Sequence, residues 1–380
     1  MTRSRPTRIC FVAPNLYPVL AGARDIAVIG GAEFRQSMLA RACAAAGYEV
    51  SVVTQDFGQA EDEIIDGVRI FKTHTPQAGM PVLRYVHPRL SSVIRRLREA
   101  KADVYYQSSA SHLTGVVAWH CRKAGARSVY GGASDTDFMR GDERMKYARD
   151  RWLFRWGLDH VDAIVAQTER QAALVRRHYR REARVIANPY AVPLRKRQQR
   201  ADLILWVGGI REVKRPERFI ALARALPQYR FRMIGGAVGE GADARAYFAA
   251  IRDAAAAVGN LEFLGFRPLD EVESHFDEAR VLVNTSAHEG FPNTFLQAWA
   301  RGIPTVSYFD AGVRDDGTRP FLWVADEAEA KAGVTGLLAS EGAWCALSKT
   351  CSAHFAARHS TAAVMDAYTA LLRDLGMAAP

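Results

Sequence analysis

The sequence predicts an α/β protein built from two Rossmann-like domains that face one another across a central cleft. Three observations lead there. Short apolar runs alternate with longer amphipathic ones, the signature of parallel strands covered by helices on both faces. That alternation runs through one series of strands, halts near residue 188 and then starts afresh. The chain has 380 residues, more than one ordinary core accommodates and enough for two.

The first series places strands at Arg8–Ala13, Glu49–Thr54, Val68–Lys72, Val104–Gln107, Ser128–Gly131, Ala163–Ala166 and Arg184–Ile186. Helices fit between several of them, as at Ala32–Ala46 and Leu113–Ala124. Asn188-Pro189 and the basic, proline-containing stretch AVPLRKRQQRAD interrupt the pattern and mark the domain boundary. The second series reads Leu203–Val207, Phe231–Ile234, Leu261–Leu264, Val281–Asn284, Thr305–Ser307 and Phe321–Val324. We therefore expect an N-terminal domain over 1–188, a C-terminal domain over 189–360, and a helix in 361–380. That last helix is apolar on one face and fits either domain, the N-terminal one included.

Composition is that of a globular protein: 49% hydrophobic and 24% charged residues exclude disorder and fibre. No apolar run approaches the roughly 18 residues needed to span a bilayer. The N-terminal MTRSRPTRICFVAP reads as a basic tail entering a first strand rather than an export signal. The five cysteines are scattered without a CxxC, which predicts free thiols and a cytoplasmic location. The net charge of +10 is either a solvated basic surface or an attraction to an anionic membrane face. Residues 84–101 hold six Arg/Lys and one Glu, with Val86, Leu90, Val93, Ile94 and Leu97 at helical spacing. Residues 144–156 mix bases with aromatics similarly. Both stretches suit the inner face of a cell membrane, and both also suit ordinary helices with arginines outward. No recognition helix, zinc finger or aromatic RNA-binding pattern occurs, so nucleic acid is not an expected partner.

The richest stretch is NTSAHEGFPNTFLQAWARGIPTV at 284–306. Glu289 precedes a Gly290-Phe291-Pro292-Asn293-Thr294 turn, and Gln297 lies one turn into the helix beyond. Unpaired N–H groups at a helix start attract phosphate, and an ionised carboxylate suits sugar hydroxyls. Phosphate with a polyol indicates a nucleotide sugar. Asn293 is the expected helix cap, and it shares a helical face with Gln297. The opening of the second domain, LILWVGGIREVKRPERF, ends a strand at Val207, turns through Gly208-Gly209, and presents Arg211 and Lys214. Two cations over a strand end can neutralise a diphosphate, or stand as solvated bases on a loop. The motif Gly239-x-Gly241-x-x-Ala244 has dinucleotide-binding spacing but lies past its strand tip, so a nicotinamide cofactor is not expected.

In the first domain, the long loop Pro14–Ala32 ends in Gly30-Gly31-Ala32-Glu33, where paired glycines allow a ligand close approach. His112 follows another strand and is a candidate base, or a structural histidine. Asp135 and Asp137 are spaced like a metal clamp, yet no further ligand stands near them in sequence. We read them as a polar rim or acceptor contact, and expect no metal.

Together these motifs resemble family-4 retaining glycosyltransferases of the GT-B fold. The likeness covers nearly the whole chain: GGAE near the start, AQTERQ at 166–171, ANP at 187–189, WVGGIREVKRPE at 206–217, FRMIGG at 231–236, LGF at 264–266 and EGFPNTFLQAWARGIP at 289–304. The resemblance implies that the second domain binds the donor and the first the acceptor. It implies that Glu289 contacts the transferred sugar, that the Gly290–Thr294 backbone approaches sugar and phosphate, and that Arg211 and Lys214 hold the diphosphate. Three positions depart from it. Gln297 stands where the family usually has a second glutamate, Gly209 where it often has arginine, and His112 four residues beyond the usual histidine, near Ser108.

The expected activity is transfer of a hexosyl unit from a UDP- or GDP-sugar to a hydroxyl with retention of configuration. No cofactor or metal takes part, since cations and helix N–H groups carry the charge stabilisation. The expected acceptor is a surface polysaccharide precursor on a lipid carrier, an implication of the family and the basic surface. A non-catalytic sugar-nucleotide-binding protein and a sugar-nucleotide epimerase of the same fold are the alternatives.

Overall fold

The computed structural model describes residues 5–22, 31–79, 85–141, 143, 145–191, 202–239 and 241–380. Gly30, most of the basic stretch after Asn188-Pro189, and residues 84 and 144 lie outside the described residues. The chain forms two compact units. The first holds Ile29–Pro189 with Met1–Ala23 and Thr361–Pro380, and the second holds Tyr190–Ser360.

In the first unit β1 (Arg8–Val12) leads through the short α1 (Tyr17–Leu20) to α2 (Gly31–Ala45). Then follow β2 (Glu49–Thr54), β3 (Ile64–Ile65), β4 (Val68–Lys72), a helical turn at Val86–Leu90, α3 (Ser91–Ala100), β5 (Val104–Ser108), α4 (Leu113–Ala124) and β6 (Arg127–Gly131). A 3₁₀ turn at Asp135–Phe138, α5 (Ala148–His160), β7 (Ala163–Ala166), α6 (Glu169–Tyr179) and β8 (Arg184–Val185) complete it. The strand order is β3-β4-β2-β1-β5-β6-β7-β8, parallel throughout except for β3 against β4. Of that antiparallel edge pair, β4 is an expected strand and β3 is not, because a two-residue strand is too short to show a period.

The second unit runs β9 (Leu203–Val207), a 3₁₀ turn at Glu212–Lys214, α7 (Pro216–Ala225), β10 (Arg230–Ile234), α8 (Ala242–Ala256), β11 (Leu261–Phe263), α9 (Leu269–Glu278) and β12 (Val281–Asn284). It continues with α10 (Asn293–Trp299), β13 (Thr305–Ser307), β14 (Leu322–Trp323), α11 (Glu327–Ala339) and α12 (Glu341–Arg358). Its sheet is wholly parallel in the order β11-β10-β9-β12-β13-β14. Counted from β9, that is the doubly wound order 3-2-1-4-5-6. Both sheets follow from β-branched and aromatic runs too apolar to leave either face in water, such as LILWV in β9.

The last helix, α13 (Thr361–Asp374), belongs to the first unit. Val364, Met365, Tyr368, Leu371 and Leu372 enter the same core as Phe11, Val52 and Ile70. Each such burial is worth about 1.5–3 kcal/mol, so this face anchors the chain end. Tyr368 meets Tyr106 of β5 hydroxyl to hydroxyl at 3.3 Å, and Arg184 pairs with Asp374 at 2.6 Å. All five cysteines are free thiols, and burial pushes Cys10 and Cys43 up to about 12. Among the described residues no helix is long and apolar enough to cross a membrane.

Candidate functional site

In an open parallel sheet the strand order reverses at one point, and the loops leaving the two strands there diverge to leave a crevice. In the second unit those strands are β9 and β12. The loop after β9 carries Gly208, Gly209, Arg211 and Lys214, and the loop after β12 carries Glu289. Lys214 and Glu289, 75 residues apart in sequence, meet there as a hydrogen-bonded ion pair. Their side chains are 17% and 12% exposed, so the pair is sheltered yet reachable.

The surrounding residues fix both partners. Ser286 Oγ donates to Glu289 Oε1 at 2.7 Å. Thr285 Oγ1 donates to the Lys214 carbonyl at 2.6 Å and accepts from Trp206 Nε1 at 2.9 Å. The Ala287 N–H donates to the Val213 carbonyl at 2.8 Å, which stitches the two loops together. Arg215, just after the lysine, has φ 47°, a left-handed conformation that non-glycine residues adopt at a cost of about 1 kcal/mol or more. Pro216 then starts α7 at the position where its missing N–H is harmless. Thr285 and Ser286 were not singled out from sequence, although two hydroxyls at the end of β12 were a readable signal.

Arg211 stands exposed at the start of the 3₁₀ turn, on the same loop as Lys214. Gly209 explains one departure from the family pattern: a Cβ there would fall 2.3 Å from Val238 Cγ2, so a side chain needs Val238 to move. Gly235 is obligatory, since its Cβ would sit 1.9 Å from the Gly208 carbonyl oxygen. Gly290 and Thr294 are partly exposed, while Phe291 and Pro292 are buried. Phe291 stacks on His359 with centroids 4.9 Å apart.

Two expectations about α10 are corrected. Pro292, not Asn293, holds its N-cap position, with no side-chain cap bond. Asn293 is instead the first helical residue. Gln297, implied by the family pattern to contact the donor, is instead 4% exposed, and its Nε2 donates to Glu273 Oε1 of α9 at 2.8 Å. Glu273 Oε2 accepts from Tyr190 Oη at 2.6 Å and from Arg301 at 2.7 Å. Burial and then the neighbouring Glu273 hold the Tyr190 phenol well above its usual pKa, so it remains a donor.

In the first unit the reversal lies between β1 and β5. Gly31 opens α2, and Glu33 is in its first turn. His112 precedes α4 and leans on Tyr85 at 5.3 Å. Burial lowers its pKa, which favours the neutral imidazole near pH 7. The aspartate pair does not act as one unit. Asp135 pairs with Arg170 at 2.9 Å. Asp137 points inward and accepts from the Ala133 N–H at 2.7 Å and from Tyr130 Oη at 3.0 Å, in a capping box with Ser134. Burial raises its carboxyl above the ordinary range. Asp137 is thus a structural cap rather than an acceptor contact. Sequence reasoning also missed Arg35, a buried guanidinium that donates to Ser108 Oγ and to the Gly132 carbonyl beyond β6 at 2.5 Å.

An ammonium and a carboxylate side by side, with a guanidinium nearby, can bind a polyanion and a polyol at once. Residues 30–191 match the model of a Glycosyl transferase 4-like domain, and residues 201–340 that of Glycosyl transferases group 1. The chain belongs to the family-4 glycosyltransferases. Among curated relatives of this chain is the D-inositol 3-phosphate glycosyltransferase of Mycobacterium avium (strain 104), 26% identical over 240 residues. That match covers 57% of this chain and 57% of the relative, so the chain spans little more than half the length of that protein. Sucrose-phosphate synthase from Thermosynechococcus elongatus superposes with a TM-score of 0.76 at 19% identity, covering 97% of this chain and 99% of that one. HepE of Anabaena, solved with UDP and glucose, gives 0.75 at 16%, with 97% and 99% covered. WaaG, a glycosyltransferase involved in lipopolysaccharide biosynthesis, gives 0.67 at 16%, with 95% and 99% covered. These likenesses identify the fold as GT-B.

Proposed function

We propose that the protein is a retaining, metal-independent glycosyltransferase. It moves a hexosyl unit from a UDP- or GDP-sugar to a hydroxyl of a lipid-linked surface polysaccharide precursor. The observation that carries this reading is the Lys214–Glu289 pair at the carboxyl ends of β9 and β12, where a doubly wound sheet takes its ligands. HepE, of the same fold, was solved with UDP-glucose, which supports a nucleotide-sugar donor.

The chemistry follows from charge. The bond between the anomeric carbon and the diphosphate oxygen breaks as the bond to the acceptor oxygen forms on the same face. The acceptor proton passes to the departing diphosphate. Negative charge therefore builds on the diphosphate, beside Lys214 and Arg211. One ammonium donor of Lys214 is engaged by Glu289, and two remain for phosphate oxygens. Glu289 accepts from sugar hydroxyls, and the Gly290–Thr294 backbone lies beside sugar and phosphate. We assign His112, Gly31 and Glu33 of the first unit to the acceptor side.

Incubation with labelled UDP- and GDP-hexoses, with and without EDTA, tests the donor. Slow release of nucleoside diphosphate that EDTA leaves unchanged is the expected result. Abolition by EDTA would sink metal independence. An isomerised sugar nucleotide with no release would mark an epimerase, and binding without turnover on any acceptor a non-catalytic protein.

A membrane-facing acceptor fits one surface of the first unit. Val86, Tyr147 and Trp152 are exposed apolar groups. The Arg149 guanidinium lies 3.4 Å from the Tyr85 ring centre and joins the Val86–Leu90 turn to the start of α5. With Lys146 beside Tyr147 at 5.6 Å, this makes a basic, aromatic patch suited to anionic headgroups. Flotation with vesicles of anionic phospholipid should carry the protein upward at low salt and release it at high salt. Absence of binding at low salt would remove the membrane from the account.

A further inference from the structure

We propose that Glu273 is a positioning residue for the Glu289 loop, and that position 297 carries an amide because Glu273 demands one. The activity arm below rests on the donor reading given above, whereas the structural arm does not.

Helix α10 has seven residues and no side-chain N-cap. So short a helix does not hold itself in place, and its packing partners must do so. Four polar residues supply that hold. Gln297 donates to Glu273 Oε1 at 2.8 Å, while Tyr190 and Arg301 donate to Oε2 at 2.6 and 2.7 Å. Arg301 also pairs with Asp277 at 2.7 Å and donates to the Gln297 carbonyl at 3.0 Å, near the end of the helix. Glu273, Gln297 and Arg301 are each 4% exposed, and Tyr190 is 3% exposed. Three protein donors thus converge on the Glu273 carboxylate.

The same tyrosine reaches the loop itself. Its backbone N–H donates to the His359 carbonyl at 3.0 Å, and His359 stacks on Phe291, two residues after Glu289. Tyr190 and Ser360, where the chain enters and leaves this unit, lie paired side by side. Tyr190 therefore braces the helix through its hydroxyl and the loop through its backbone.

A glutamate at 297, the residue the family pattern favours, would set two carboxylates in contact out of water. The amide donates there, and an ionised carboxylate cannot. The departure at 297 is then a compensated exchange, not decay.

The test uses the 380-residue chain with Gln297→Glu, Glu273→Gln and the double variant. In Gln297→Glu two carboxylates share one site, so one has a folded pKa above its unfolded value. The stability of that variant is intact below the unfolded carboxyl pKa of about 4.3 and is lost as pH rises through the raised value. Its melting temperature should therefore fall by roughly 5–10 °C at pH 7.5 and by progressively less toward pH 5. The double variant should recover at least half of that loss. It exchanges the amide and the carboxylate between the two positions. The amide placed on α9 can accept from Tyr190 and Arg301 through its oxygen and donate through its nitrogen to the carboxylate placed on α10. At a temperature where all variants are folded, Gln297→Glu should cut kcat for donor hydrolysis about tenfold or more, and the double variant should restore most of it. Melting of Gln297→Glu like wild type at every pH, or a double variant no better than the two singles summed, overturns the lock. A melting loss with unchanged kcat and KM overturns the positioning role. Should wild type itself turn over no nucleotide sugar, the donor reading fails and the melting series still decides the lock.

Discussion

Replacing Lys214 with alanine is expected to lower kcat by on the order of 100-fold, and in any case by more than tenfold. The ammonium is the sheltered cation at the carboxyl end of β9, and its backbone is held by Thr285 and by the 3₁₀ turn. A charge fixed where negative charge develops stabilises the transition state more than the ground state. The loss should therefore fall mainly on kcat, with a smaller change in KM. The variant also strips Glu289 of its ion partner, but Ser286 still donates to that carboxylate, so the fold should survive. Steady-state kinetics with the preferred donor, beside circular dichroism of the variant, measures both. An unchanged rate would take Lys214 out of the site.

Glu289→Gln should lower kcat/KM for the sugar nucleotide by roughly 2- to 30-fold for each sugar hydroxyl it holds, because hydrogen bonds to a charged group are worth about 1.5–3 kcal/mol and neutral ones about 1. Titration with free nucleoside diphosphate separates the two residues. Lys214→Ala should weaken binding of the bare diphosphate, whereas Glu289→Gln should leave it nearly intact and weaken only the sugar-bearing form. Equal losses for both ligands would place Glu289 on the phosphate rather than the sugar. Since the two side chains touch, the double variant should lose less than the product of the single losses.

How far the site could be read in advance differs by residue. Lys214 and Glu289 were legible because each stands just past an apolar strand, and parallel sheets offer those positions to ligands. Their contact was not legible, because 75 residues separate them. Gln297 misled for the opposite reason. Its place in the family pattern implied a donor contact, while the partner that claims it, Glu273, is 24 residues back on another helix. Asp137 looked like half of an exposed pair until its turn folded it toward Tyr130. Arg35 gave no signal at all, since a buried guanidinium with neutral partners resembles any helical arginine in sequence.

The main parallel strands and the family itself were legible in the sequence alone. Each depends on local periodicity or on contiguous motifs, and both survive without knowledge of distant neighbours. Tertiary structure alone decided which polar side chains are consumed inside the protein, Gln297 and Asp137 among them, and it assigned α13 to the first unit. The physical reason is that a buried polar group must be satisfied by whatever lies beside it. Neighbours in space are set by packing across the whole sheet, and no local pattern records them.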